Sequence, residues 1–176
     1  MKTFSFLFFA VLLLIAKVSS ATIPSMEVVG RGEARYLGMI KVYQATLLAD
    51  TPDPSLPMLH ADVSRCLQLT YEVSLSASDF ITAAERILER QHGREKLERV
   101  RAEIETLHRH YRDVKPGDRY SLCYQAAERK TTLSLNDVLL LSMTSAEFAE
   151  IYFGIWLDPT SPIDPSLQRR LVASTR

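Results

Sequence analysis

The chain has 176 residues, 47% of them hydrophobic and 24% charged, a balance that excludes a disordered chain and fits one globular domain. Lysine plus arginine equals aspartate plus glutamate at 21 each, so no long-range field draws the chain toward nucleic acid, and no nucleic-acid partner is expected.

Lys2 precedes an unbroken apolar run of 11 residues, Phe6 to Ala16, followed by the small residues Ser19-Ser20-Ala21. This order reads as a cleavable secretory signal over residues 1–21, leaving residues 22–176 as the working domain. The run falls short of the ~20 apolar residues that cross a bilayer, so no integral membrane segment is expected after cleavage. From Met26 to Ala49 the pattern is strand-like. Gly30-Arg31-Gly32 reads as a break and Gly38 as the turn between two paired strands. Pro52, Pro54 and Pro57 make the stretch from Asp50 to Asp62 a surface loop, because proline donates no ladder hydrogen bond.

From Arg65 to Val73, polar Cys66, Gln68, Thr70 and Glu72 alternate with apolar Leu67, Leu69, Tyr71 and Val73, the period of a half-buried strand. Ser76 and Asp79 form a capping box for a helix to about Gln91, with Phe80, Ala84, Ile87 and Leu88 inward, and His92-Gly93 ends it. A second helix is expected from Arg94 to Tyr111, on the stripe Leu97, Val100, Ile104, Leu107 and Tyr111. Lys115-Pro116-Gly117-Asp118 is a turn. Tyr120, Leu122 and Tyr124 alternate on the next strand, and Asn136-Asp137 joins Thr131–Leu135 to Val138–Met143 as a hairpin. Thr144 with Glu147 is read as the cap of a helix carrying Phe148, Ile151, Tyr152, Ile155 and Trp156, stopped at Asp158-Pro159. Asp164-Pro165 starts a last short helix. Strands, helices, strands, helices in that order predict an α+β domain with a mostly antiparallel sheet and its helices on one side.

Cys66 and Cys123 are the two cysteines, and both one disulfide and two separately buried thiols fit the sequence. No histidine stands at zinc-ligand spacing from them, so neither metal nor cofactor is expected. His108 and His110 lie two apart on a helix and point to different faces, and all four histidines read as surface groups. No phosphate loop, Gly-x-Ser-x-Gly elbow or His-Glu-x-x-His motif occurs, which lowers the odds of an enzyme. Arg35 and Tyr43 fall on neighbouring strands among apolar residues. An arginine fork beside a phenol suits a carboxylate or phenolate, while spacing alone favours an edge arginine paired with a surface acid and a tyrosine half-buried against the sheet.

The hairpin Gly32-Glu33-Ala34-Arg35-Tyr36 with Ile40-Lys41-Val42-Tyr43-Gln44-Ala45 resembles the opening of chalcone isomerase-like proteins. So does the passage Leu67-Gln68-Leu69 to Val73-Ser74-Leu75-Ser76-Ala77-Ser78-Asp79-Phe80. Lys115-Pro116-Gly117-Asp118-Arg119-Tyr120, Ile155-Trp156-Leu157 and Pro162-Ile163-Asp164-Pro165-Ser166-Leu167 continue the match in order, and the whole looks most like the exported bacterial branch. The resemblance implies an open-faced β-sandwich, a large antiparallel sheet with a layer of helices, in a secreted, periplasmic protein. Plant chalcone isomerases line their cleft with an arginine, a threonine, a tyrosine, an asparagine and a further hydroxyl. Arg35 matches the arginine, whereas Tyr43, Phe80, Ile87 and Ile151 stand at or near the other four positions. Phe80 offers no hydroxyl, and losing one such donor costs ~10²-fold or more in rate, so chalcone cyclisation is not expected. Arginine with tyrosine in a Lys-Val-Tyr hairpin is instead similar to the fatty-acid-binding, non-catalytic members. The resemblance thus implies that Arg35 and Tyr43 hold the head group of a small amphipathic carboxylate, with Phe80, Ile87, Ile151 and Tyr152 along its tail. An intramolecular lyase acting on another substrate and a protein-interaction module are the alternatives.

Overall fold

The computed structural model describes residues 26–50, 53 and 55–173; the expected signal segment, Pro52 and Pro54 lie outside them. Six strands form one antiparallel sheet in chain order: β1 (Glu27–Tyr36), β2 (Ile40–Asp50), β3 (Ser64–Tyr71), β4 (Arg119–Gln125), β5 (Lys130–Leu135) and β6 (Val138–Thr144). Between β3 and β4 come α1 (Ala77–Gln91), α2 (Arg94–Arg99) and α3 (Arg101–His110), and after β6 come α4 (Ala146–Leu157) and α5 (Pro165–Leu171). This is the α+β arrangement expected, an open sheet covered on one face by helices.

Alternation decides that face. Leu67, Leu69 and Tyr71 of β3 and Tyr120, Leu122 and Tyr124 of β4 are buried toward the helices, while Gln68, Thr70, Ser121 and Cys123 sit half-buried on the other side. Cys66 and Cys123 are register partners on that other side and are joined by a disulfide, which resolves the open choice between bridge and separate thiols. The hairpin turn at Asn136-Asp137 has positive φ at both residues, 50° and 66°, the conformation these residue types tolerate best.

The structure departs from the sequence expectations at five places. β1 does not break at Gly30-Arg31-Gly32. It runs through both glycines, because their missing side chains make room for α5: a Cβ on Gly30 would lie 2.3 Å from the carbonyl oxygens of Arg170 and Leu171. The helix expected over 94–111 is broken at Val100 (φ −118°, ψ 14°), so that α2 and α3 each turn their own residues inward, Leu97 on one and Ile104 and Leu107 on the other. The cap of α4 is Ser145 and not Thr144, since the Ser145 hydroxyl accepts the Phe148 N–H at 3.1 Å while Thr144 still pairs in β6. α4 also buries far more than one stripe, with Phe148, Ala149, every residue from Ile151 to Ile155, and Leu157 out of solvent, which makes it the central helix of the layer.

The fifth correction is His108. It is 8% exposed rather than a surface group, with Nε2 3.2 Å from the Tyr152 hydroxyl and Nδ1 3.5 Å from Glu85. Burial lowers its pKa below the ordinary 6.5, against the attraction of Glu85. The unfolded chain therefore binds a proton that the folded chain refuses, and stability is full above the ordinary imidazole range and declines as pH falls from 6.5 toward the folded pKa. His92, whose pKa burial also lowers, adds a decline of the same sign. Thermal unfolding from pH 7 to 5 should show a smaller loss of midpoint in His108→Gln than in the natural chain. An identical loss in the two would mean that His108 takes up its proton equally in both states.

Arg65 extends the apolar parity of β3 by one step and follows it inward, with 0% exposure. Its Nη1 donates to the carbonyls of Met58, His60 and Val63 at 3.2, 3.0 and 3.0 Å, and its guanidinium lies 4.8 Å from the ring centroids of both Tyr124 and Phe153. A cation sandwiched between two rings keeps part of the stabilisation it loses with water. Burial still lowers its pKa to about 10. The effect on the fold is to tie the loop before β3 to the underside of α4.

Candidate functional site

Between the helix-facing side of the sheet and the layer of α1, α4 and the start of α5 lies a cleft of about 610 Å³. Ligand pockets span roughly 300–1,000 Å³, so this one is of a size to take a small amphipath. Strand residues Leu67, Leu69, Leu122 and Leu133 form its apolar floor, and Tyr43, Tyr71, Phe80, Tyr111, Tyr120 and Trp156 form its aromatic walls. The exposed lining residues Arg35, Tyr36, Asp79, Ile163 and Pro165 mark the mouth.

The walls are held by ring packing, edge-to-face in all of the following pairs but Phe80–Tyr111, which is tilted. The Tyr71 ring meets those of Tyr43, Phe80 and Tyr120 at centroid distances of 5.8, 5.4 and 6.2 Å, and Tyr111 closes the group against Phe80 at 5.3 Å and Tyr120 at 5.6 Å. Such pairs contribute about 0.5–1.5 kcal/mol each beyond their buried area, which fixes the wall rings relative to one another. Burial raises the pKa of the phenols here, Tyr43 to about 12 and Tyr71 and Tyr111 also well upward, so all three stand protonated as neutral hydrogen-bonding groups. Tyr43 accepts the Trp156 indole N–H at 3.2 Å, which leaves its own O–H free to donate. Tyr120 is saturated by the Arg112 backbone, accepting its N–H at 2.7 Å and donating to its carbonyl at 3.1 Å. Tyr111 and Tyr152 share a 2.8 Å contact between hydroxyls.

Arg35 sits at the rim with a 45% exposed side chain. Its Nε donates to Glu33 at 2.8 Å and Nη2 approaches the same carboxylate at 2.6 Å, while Nη1 reaches only the Met39 carbonyl at 3.4 Å. The Arg35 hydrogen bond holds the Glu33 carboxyl below the usual range. Arg35 is also shared with a shallow groove beside the cleft, where Arg31, Lys41 and Arg170 outnumber Glu33 and Asp164. A guanidinium at the seam between an apolar cleft and a basic groove offers an anion a place where its tail and its charge are both accommodated.

The structure thus brings three of the six expected site residues, Arg35, Tyr43 and Phe80, to one cleft. Ile87, Ile151 and Tyr152 belong instead to the core. They are 8%, 0% and 0% exposed, because the facing sides of α1 and α4 pack against each other and leave no room for a ligand between them. Tyr152 touches the site from behind, through the Tyr111 hydroxyl and the Trp156 ring at 6.5 Å between centroids. Tyr71, Tyr111, Tyr120 and Trp156 are wall residues that sequence reasoning assigned to strand faces and helix stripes, and periodicity contains no signal separating a cleft wall from a filled core.

Residues 19–173 match the family described as chalcone isomerase-like. Among solved structures, the chain is similar to a fatty-acid binding protein of Arabidopsis thaliana, with 15% sequence identity, a TM-score of 0.66, and coverage of 86% of this chain and 88% of the other. At that identity the likeness concerns the fold. No curated protein matches by sequence. The match to the family over nearly the whole chain agrees with the six-stranded open sheet and its helix layer, and the chain belongs to the chalcone isomerase-like family.

Proposed function

We propose that this protein is an exported, periplasmic and non-catalytic binder of a small amphipathic carboxylate such as a fatty acid. The observation that carries the reading is the apolar cleft of about 610 Å³, with the donor Tyr43 in its wall and Arg35 at its mouth. Area burial of the tail supplies most of the affinity, and the charge-assisted contact orients the ligand. Arg35 keeps donors available for this, since its Nη1 holds only a long contact to a carbonyl. The fatty-acid binding protein of similar fold supports the ligand class. The site gives less support to catalysis. Tyr43, held near pKa 12, is poorly matched to proton transfer near neutrality, and Phe80 has no hydroxyl.

Native mass spectrometry of protein recovered from the exported fraction, before and after organic extraction, tests the reading. A chain beginning at Thr22 with an extractable adduct of fatty-acid size is expected. Arg35→Ala should weaken palmitate binding by about 10- to 100-fold, as expected for a hydrogen bond to a charged group. Unchanged palmitate retention in that variant would overturn the head-group assignment, and a partner protein recovered in place of an adduct would favour the interaction module.

A further inference from the structure

We propose that the cleft contains a second polar subsite, in which the hydroxyls of Tyr71 and Tyr111 receive an alcohol group on the ligand, so that the preferred occupant is a hydroxylated amphipathic carboxylate. The proposal rests on the reading above that the cleft takes a carboxylate, and adds what the other end of that ligand carries.

Tyr71 is 3% exposed, lines the cleft, and its hydroxyl has no hydrogen-bond partner among the described residues. On a residue of the cleft wall, a hydroxyl without a protein partner has both its donor and its acceptor open to an occupant. Its neighbours each have at least one partner: Tyr43 accepts from Trp156, Tyr120 is bonded to the Arg112 backbone, and Tyr111 to Tyr152. Phe80 and Tyr120 each touch both Tyr71 and Tyr111, so the two rings border one region of the wall.

The direction of the hydrogen bonds follows from His108. Its Nδ1 lies 3.5 Å from the Glu85 carboxylate, itself held by Arg101 at 2.9 and 3.0 Å, and that contact assigns the single ring proton to Nδ1. Arg101 opposes and Glu105 favours a second proton, and burial keeps the ring neutral. Nε2 then accepts the Tyr152 O–H at 3.2 Å, and the Tyr152 oxygen accepts the Tyr111 O–H at 2.8 Å. The Tyr111 oxygen is left with a lone pair and no spare proton, whereas Tyr71 retains its proton. An alcohol fits this pair, since its proton goes to Tyr111 and its oxygen accepts from Tyr71. A ketone satisfies Tyr71 alone, and a methylene satisfies neither.

The test is calorimetric titration of the natural chain, Tyr71→Phe and Tyr111→Phe with stearate and with hydroxy- and keto-stearates substituted at several chain positions. At least one hydroxystearate should bind about 10-fold tighter than stearate, the corresponding keto acid should fall between them, and in Tyr71→Phe the hydroxystearate and stearate affinities should converge. Tyr71→Phe keeps the ring contacts and removes a hydroxyl that has no hydrogen bond among the described residues, so its fold is preserved. If no hydroxy acid binds tighter than stearate, or if the preference survives in Tyr71→Phe, the subsite is overturned. Should no acid bind at all, the carboxylate reading fails, and C18 alcohols without a carboxylate decide the subsite alone. Tyr71-dependent binding of those alcohols upholds it and no binding overturns it.

Discussion

Replacing both cysteines, Cys66→Ser with Cys123→Ser, is expected to lower stability by about 4 kcal/mol, from the chain-entropy cost of closing a loop of this length. The bridge joins positions 57 apart in sequence, and the loop it closes contains α1, α2 and α3. Without it the unfolded chain regains the freedom of that whole segment, while the folded sheet keeps its β3–β4 hydrogen bonds through the neighbouring pairs Leu67↔Leu122 and Arg65↔Tyr124. For a domain of this size the midpoint of thermal unfolding should fall by about 10 °C. Urea unfolding should also show a larger m-value in the double variant, because its unfolded state exposes more surface. A loss under about 1 kcal/mol with unchanged m would mean that the unfolded chain keeps this loop compact without the bond. The same dependence links the fold to compartment, since a chain held where thiols stay reduced would lack this contribution.

The bridge shows which part of the structure was legible in sequence. Alternation places Cys66 and Cys123 on the polar sides of their strands, but joining them needs the β3–β4 register, and two strands separated by three helices give no local sign of it. Where the information is local, sequence and structure agree. Ser76 and Asp79 cap α1 reciprocally, Asn136-Asp137 turns a hairpin, and Asp164-Pro165 opens α5. The cleft is a different matter. Phe80 and Ile87 lie on the same predicted face of one helix, yet Phe80 lines the cleft near the start of α1 while Ile87 is buried further along the helix that packs against α4, and helix periodicity does not separate the two. Arg65 and His108 were illegible for a related reason. Both are polar letters whose burial depends on partners brought in from elsewhere: carbonyls of the preceding loop with the Tyr124 and Phe153 rings for one, and Glu85 with Tyr152 for the other.

Gly30→Val is expected to destabilise the protein by about 3 kcal/mol or more, through overpacking against atoms that cannot move aside. A Cβ at this position would stand 2.3 Å from the carbonyl oxygens of Arg170 and Leu171 and 2.7 Å from the Leu171 carbonyl carbon, all backbone atoms at the end of α5. Rotamer changes give no relief, so either β1 bends or α5 leaves its seat. The second course exposes Leu167 and Leu171, 1% and 0% exposed in the fold, at about 1.5–3 kcal/mol for each side chain returned to water. It also carries a functional consequence, because the residues leading into α5, Ile163, Asp164 and Pro165, form part of the cleft mouth. Palmitate affinity should therefore fall in Gly30→Val although the altered residue does not line the cleft. Gly93→Ala is the control: nothing lies within 4 Å of its added Cβ, and its cost should stay near the ~1 kcal/mol of a weakened helix N-cap, with palmitate binding unchanged. Equal thermal midpoints for Gly30→Val and the natural chain would show that α5 is not seated on β1 in solution, and the mouth of the cleft would then have to be built by some other element.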